Sequence, residues 1–288
     1  MAFTDTEIKG LEVRANNIRQ SIIEMLLLAK SGHTAGPLGM TDVFTLLYFH
    51  QLVHDPKNPS WDERDRVVLS NGHIAPVLYA TMAHAGYFSV ETLLTLRQFG
   101  SVLQGHPHRE FLPALETSSG PLASGLSQAV GMALADRIDR GVSSTRRVFC
   151  LMSDGEQESG QIWEAGMLAG KERLSNLVGI IDRNNIQIDG YTEDIMPLEP
   201  LADKWKAWNW HVLEINGHNF EEINNAVEEA RAVFEKPTMI IARTIPGKGV
   251  KAFEKKFEWH GKPPNKEEAE MALKELRTLE GQIISEHE

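Results

Sequence analysis

Two short apolar runs constrain this chain more than anything else in it. Val148-Phe149-Cys150-Leu151-Met152 and Leu177-Val178-Gly179-Ile180-Ile181 carry no polar alternation and are too short for typical helices. That is the pattern of strands buried on both faces of a sheet. A helix predicted over 161–173 joins them, and strand, helix, strand in that order gives a parallel pair. Parallel neighbours end at the same edge. Asp154, which follows the first run, and Asn184, thirty residues later, therefore meet there. Between them they can hold one hard cation, with the backbone carbonyl of Ile186 as a third oxygen ligand. Mg²⁺ (or Ca²⁺) takes such ligands, and Mg²⁺ completes its shell with phosphate and water. A helix starting where the first strand ends aims free N–H groups at an anion carried by that cation, so a diphosphate suits this edge. Either residue alone reads better as a capping Asp or a turn-forming Asn; the pair at two strand ends points to the metal.

The rest of the chain repeats the alternation. A helix is predicted over 4–31, capped by Thr4 or Asp5, and a second from Met40 to His50. Val67–Leu69 reads as a strand and SNGHIAPVLYA re-enters a helix. Residues 100–125 form a long Gly/Pro/Ser-rich segment of the kind that carries binding function. Helix 126–138, strand 147–152, helix 161–173, strand 177–182, strand Trp210–Ile215, helix 219–235 and strand Met239–Ala242 follow. The tail from Pro264 to Glu288 is a charged helix with an apolar stripe of Ala269, Leu273, Leu276 and Leu279. The expectation is an α/β fold, one domain over 1–288, with a mostly parallel sheet covered by helices on both faces. A net charge of −11 argues against nucleic acid as partner. No run of apolar residues is long enough for a membrane span. The single cysteine, Cys150, lies inside an apolar run as a core residue and permits no disulfide framework. A cytoplasmic location is expected.

Four histidines stand in glycine-containing loops: His33 in SGHTAGPLGM, His73 in LSNGH, His106 in QGHPH and His260 in WHG. A lone loop histidine is usually just a solvated residue at the surface. Four of them in loops expected at one sheet end suit proton transfer near neutral pH.

In this order, SGHTAGPLGM, LSNGH, QGHPH, SGPLASG, the Asp154…Asn184 stretch, ARTIPGKG and WHG resemble the diphosphate-binding domain of transketolase, from about residue 10 to residue 275. PLADKWKAWNWHV is similar to the separately encoded N-terminal subunits of split transketolases. The resemblance implies thiamine diphosphate as cofactor and transfer of a two-carbon ketol unit from a ketose to an aldose. It implies that His33 and His260 contact the donor hydroxyl and reacting oxygen, His106 the ketol hydroxyl, and His73 the diphosphate, with His260 also against the cofactor. Gly120, Pro121 and Leu122 would lie along the cofactor, Gly155 and Glu156 would offer backbone amides to the diphosphate, and Asn184 would lie at both metal and cofactor. Ile188 and Ile245, with Ile186, are candidate apolar walls, or equally ordinary core residues.

The sequence departs from the family pattern at named places. Ser153 replaces the usual Gly before the metal Asp. Ala123-Ser124 replaces the Gly-Gln of the cofactor loop. Ser159 stands where the family carries a Glu implicated in communication between active sites, with Glu158 and Glu164 as candidate substitutes. The aminopyrimidine half of a thiamine-diphosphate site is expected from a second chain, a C-terminal pyrimidine-domain subunit, most simply in an α₂β₂ assembly acting on sugar phosphates or other anionic sugars. Two other readings compete. One is a subunit of another thiamine-diphosphate enzyme, 2-oxo-acid decarboxylating or deoxyxylulose-phosphate-type. The other is a non-catalytic cofactor-binding assembly subunit.

Overall fold

Thr4 and Glu7 exchange hydrogen bonds in a capping box, which starts α1 (Asp5–Ala29) where the sequence predicts it. Ile18, Ile22, Met25 and Leu26 recur on its buried face. The computed structural model describes residues 3–141 and 144–278; Leu279 and the end of the predicted tail lie outside them. The second helix departs from expectation. α2 covers Ala35–Leu46 and passes into a wider turn over Leu47–Gln51. Its earlier start is compatible with Pro37, because backbone N–H groups in a first turn have no intrahelical partner to lose.

β1 (Arg66–Leu69), α3 (Ala75–Ala85), α4 (Ser124–Arg140), β2 (Val148–Ser153), α5 (Gly160–Glu172) and β3 (Leu177–Arg183) follow the predicted order. A two-residue hairpin was not foreseen: β4 (Ile186–Gln187) pairs antiparallel with β5 (Gly190–Tyr191). Neither were α6 (Thr192–Ile195) and α7 (Leu201–Ala207), which lie before β6 (His211–Asn216). α8 (Phe220–Ala232), β7 (Thr238–Arg243) and α9 (Lys266–Thr278) complete the described chain.

The main sheet runs β1-β2-β3-β7-β6 with every neighbouring pair parallel. Successive strand residues point to opposite faces. Phe149, Leu151, Val178, Ile180 and Ile240 join the core with α1, α2, α3, α8 and α9. Val148, Cys150, Met152, Ile181 and Ile241 join the core with α4, α5 and α7. Trp205 on α7 is fully buried between Trp163 and Trp210, at 5.2 and 4.9 Å between ring centroids. β6 is the half-buried edge strand. All five strands deliver their C-terminal ends to one edge, and the loops that leave it carry the residues of interest. Among the described residues no helix is long and apolar enough to cross a membrane.

Candidate active site

The loop between α1 and α2 brings His33 to that edge, the turn after β1 brings His73, and the short helical turn Phe257–Trp259 ends at His260. Their rings form a triangle. Centroids are 4.8 Å apart for His33 and His73, 5.2 Å for His73 and His260, and 5.4 Å for His33 and His260. His106 joins from the long loop. A Cβ on Gly72 would lie 3.2 Å from His106 Cδ2, and one on Gly120 would lie 3.7 Å from His106 Cγ. Gly72 and Gly120 are therefore where these loops close onto that ring.

All four imidazoles are held toward the neutral form. Burial takes His33 down to about 4, helped by the nearby charges of His260, Arg97 and His106. Burial alone takes His260 to about 4. Burial, then His33 and His260, pushes His73 well below its ordinary value, and burial with Arg97 lowers His106. Neutral imidazole has one donor and one acceptor nitrogen, so each ring can give or take a proton bond near pH 7.

The carboxylate edge adjoins this cluster in the sheet. Asp154 is fully buried at the end of β2. Its Oδ1 accepts Gly155 N–H at 2.8 Å; its Oδ2 accepts Asn185 N–H at 2.7 Å and Arg183 Nη1 at 3.2 Å. A carboxylate has about four lone-pair sites, so one is left on Oδ1. Asn184 Oδ1 accepts Ile186 N–H at 3.0 Å and keeps a second lone pair, while its Nδ2 donates to Asp182 at 2.8 Å. Burial raises Asp154 to about 6, against the pull of Arg183 and the Asn185 amide. Asp182 rises to about 7, through burial and the charge of Asp154, against hydrogen bonds from Thr244 and Asn184.

The remaining expected residues fall on the same edge in different environments. Gly120 (φ +154°), Pro121 and Leu122 form the turn ahead of α4, with Pro121 and Leu122 exposed. Ala123 adopts φ +72°, a left-handed conformation in which the family glycine is free of Cβ strain. Glu156 is 1% exposed, and its carboxylate ties these loops together. It accepts Ser70 Oγ at 2.5 Å, Ala123 N–H at 2.6 Å and Ser153 N–H at 2.8 Å. Ser70 Oγ in turn accepts Gly125 N–H at 3.2 Å. Both backbone amides expected to face a diphosphate have intramolecular acceptors: Gly155 N–H meets Asp154, and Glu156 N–H meets Ser153 Oγ at 3.3 Å. Beside Gly155 there is open space, since a Cβ there would meet only Gln187, no closer than 3.7 Å. Ile186 is buried, whereas Ile188, at the tip of the β4–β5 hairpin, is 67% exposed. Ile245 is half-buried, and its N–H donates to His218 Nε2 at 2.7 Å. Ser159 precedes α5 without a side-chain cap, Glu158 accepts Gln187 Nε2 at 3.0 Å, and Glu164 is exposed.

Residues without predicted roles also shape the edge. Arg97 donates to Ser31 Oγ at 2.6 Å and to Gly105 O at 3.2 Å, so one guanidinium joins the loops of His33 and His106. His218 Nδ1 contacts Asp42 at 2.7 Å, and Arg19 meets the same carboxylate oxygen at 2.6 Å. The Asn-Gly-His tripeptide at 216–218 repeats that at 71–73 and was the available signal for His218.

These residues fit a bound anionic cofactor with its cation. His33 Nδ1, both polar atoms of the Asn71 side chain and Ser119 Oγ are buried without partners. Buried polar atoms are normally paired, so such orphans gathered at one sheet edge mark places for a ligand or partner. The oxygen donors of Asp154 and Asn184 are the hard type that suits Mg²⁺. Among the described residues no group of three His, Cys, Asp or Glu is arranged to hold a metal.

Residues 12–280 match the family model described as transketolase, thiamine diphosphate binding domain. The chain is 44% identical over 266 residues to the 6-deoxy-6-sulfo-D-fructose transketolase subunit of Clostridium sp. (strain MSTE9), covering 92% of this chain and 96% of that one. It is 40% identical over 270 residues to an apulose-4-phosphate transketolase subunit of Phocaeicola vulgatus, covering 94% and 95%. The transketolase structure from Campylobacter jejuni superposes with a TM-score of 0.87 at 38% identity, covering 93% of this chain but 42% of that one. The chain thus spans nearly all of the separately encoded subunits and less than half of the longer transketolases.

Proposed function

The chain belongs to the transketolase family, as its thiamine-diphosphate-binding domain, and on that premise we propose that it is the N-terminal subunit of a split transketolase. The observation that carries the reading is the triangle of neutral histidines beside the Asp154–Asn184 edge. Asp154, Asn184 and the Ile186 carbonyl would hold Mg²⁺ or Ca²⁺. Gly120, Pro121, Leu122, Gly155, Glu156, His73, Ile188, Ile245 and His260 would line the cofactor. When bound, thiamine diphosphate supplies the electron sink for breaking a carbon–carbon bond next to a ketone.

The residues of this chain then do the proton work. His33 and His260 meet edge-on with ring centroids 5.4 Å apart, and we assign them to the donor hydroxyl and the reacting oxygen. His106 holds the ketol hydroxyl, and His73 stands at the diphosphate end. Because all four rings are neutral, they offer hydrogen bonds without drawing the substrate's anionic group out of place. Arg97 keeps His33 and His106 in register by bonding both loops.

The partner is part of this proposal. Three relatives matched along nearly their whole length bear the names of transketolase subunits, which supports a second chain. That chain would carry the pyrimidine half, in an α₂β₂ assembly in the cytoplasm. The substrate is a ketose carrying an anionic group, phosphorylated or sulfonated, as the names of the relatives suggest. The test is ketol transfer from fructose 6-phosphate, 6-deoxy-6-sulfofructose and apulose 4-phosphate to glyceraldehyde 3-phosphate, and from xylulose 5-phosphate to ribose 5-phosphate. It is run with this chain alone and with its cognate second subunit, each with cofactor and Mg²⁺. Turnover is expected only from the pair. Full turnover by the chain alone refutes the split reading. Cofactor binding by the pair without transfer from any donor refutes ketol transfer.

A further inference from the structure

Arg183 lies inside the proposed metal stretch, between Asp182 and Asn184, and the structure buries it to 2% exposure. Its guanidinium meets three carboxylates from three segments: Asp154 Oδ2 at 3.2 Å, Glu193 Oε1 at 2.5 Å and Glu199 Oε1 at 3.1 Å. Only the planar fork of arginine spreads donors over such an arc; a lysine offers a point charge. The two glutamates face outward, with side chains 39% and 48% exposed. Each also accepts a backbone N–H from the segment after the hairpin, Leu198 to Glu193 at 3.2 Å and Leu201 to Glu199 at 2.9 Å. One cation therefore links the Asp154 carboxylate to the amides of Leu198 and Leu201. Ile195 and Met196, in the chain between the two glutamates, are exposed.

Resting on the metal reading of the Asp154–Asn184 edge, we propose that Arg183 is a positioning residue that couples occupancy of that edge to the order of segment 192–201. Asp154 shares its charge between the guanidinium and whatever sits at its free lone pair. A divalent cation arriving there draws on the carboxylate and leaves more of the Arg183 charge to Glu193 and Glu199. Those two then hold Leu198 and Leu201 more firmly. Coupling is reciprocal, so a segment already ordered favours the cation by the same factor. The outer surface of the hairpin region thereby reports whether the metal edge is filled.

Amide exchange of the full chain in complex with its cognate second subunit tests this, with and without Mg²⁺ plus thiamine diphosphate, in wild type, Arg183→Met and the double variant Glu193→Gln/Glu199→Gln. Without ligand, Arg183→Met should exchange Leu198 and Leu201 about tenfold faster than wild type, while Ile180 in β3 stays protected. Ligand should slow both amides about threefold or more in wild type and leave them unchanged in Arg183→Met. The double variant keeps the Asp154 pair, so it reports the coupling even if Arg183→Met folds poorly. Its ligand affinity, followed at the Gly155 amide, should fall by the factor of protection seen in wild type. Equal ligand protection in wild type and Arg183→Met, or unchanged exchange in the ligand-free variant, overturns the proposal. A ligand effect at Gly155 and Asn185 without one at Leu198 and Leu201 overturns the coupling alone. No ligand effect at Gly155 in wild type overturns the metal reading and the coupling with it.

Discussion

Replacing Glu156 by Gln tests how the loops of the site are held. The carboxylate accepts from four donors: Ser70 Oγ, Ala123 N–H, Ser153 N–H and, at 3.4 Å, Ser153 Oγ. Glutamine offers one oxygen and one NH₂ group. Either the Ala123 or the Ser153 backbone N–H must then face an NH₂, and a backbone N–H cannot turn round as a hydroxyl can. The change removes one charge-assisted hydrogen bond and leaves one buried donor unpaired. These losses are partly offset because a charge whose pKa is already raised by burial is no longer buried. The net cost is about 2–3 kcal/mol. At roughly 2–4 °C per kcal/mol for a chain of this size, Tm should fall by about 4–12 °C. Calorimetry reads that fall, and exchange at Ala123 and Gly125 reads its location. A Glu156→Gln chain that melts within a degree of wild type, with Ala123 still protected, refutes the assignment of Glu156 as the tie between these loops.

Ala123→Gly should change stability by less than about 1 kcal/mol, because relief of the left-handed strain at φ +72° is offset by the extra freedom glycine gains when unfolded and by the loss of a fully buried methyl; urea denaturation measures it. In the ligand-free chain, the depressed histidines stabilise fully above the unfolded value of about 6.5, and that contribution is lost as pH falls through about 4, since the unfolded chain binds more protons in between. Asp154 and Asp182, raised to about 6 and 7, slope the other way: their contribution is present at low pH and is lost as pH rises through those values. The double variant His33→Asn/His260→Asn should therefore lose less stability than wild type between pH 7 and pH 5, read from urea midpoints at the two pH values. Arg97→Met removes a positive charge beside two rings, so NMR titration should show His33 and His106 moving up in pKa, while His260 moves less.

How much of this was legible depended on whether a residue's partners were near in sequence or recurred with a period. β2 and β3 announce themselves because every residue in them is buried, and an apolar run bounded by polar residues is a local signal. The four loop histidines were readable from their glycine neighbours, and the structure gathers them. The β4–β5 hairpin was not readable, since two residues per strand leave no periodicity to detect. α7 was hidden because its buried face is only Leu201 and Trp205, and Trp205 packs on Trp163 of α5 and on Trp210, the residue before β6. Arg183 has partners 29, 10 and 16 residues away, at the end of β2, in the one-turn α6 and before α7, so no spacing rule would pair them.

The two glycine replacements, read from sequence as separate departures, converge on one group. Ser153 ends β2 and Ala123 lies in the turn ahead of α4, thirty residues apart, yet both backbone N–H groups end on the Glu156 carboxylate. Ser153 adds its hydroxyl to the same oxygen and receives the Glu156 N–H in return, contacts no glycine makes. Ala123 takes a strained backbone conformation, and its 2.6 Å bond to Glu156 is of the charge-assisted kind that is stronger than a neutral one. A buried carboxylate holds a donor against local strain, because releasing that donor takes a charge-assisted hydrogen bond from a buried charge. On this argument Ser153, Ala123 and Glu156 act as one unit. The departures then alter how the loop ahead of α4 is held rather than remove it, which is compatible with an intact histidine triangle on the same edge.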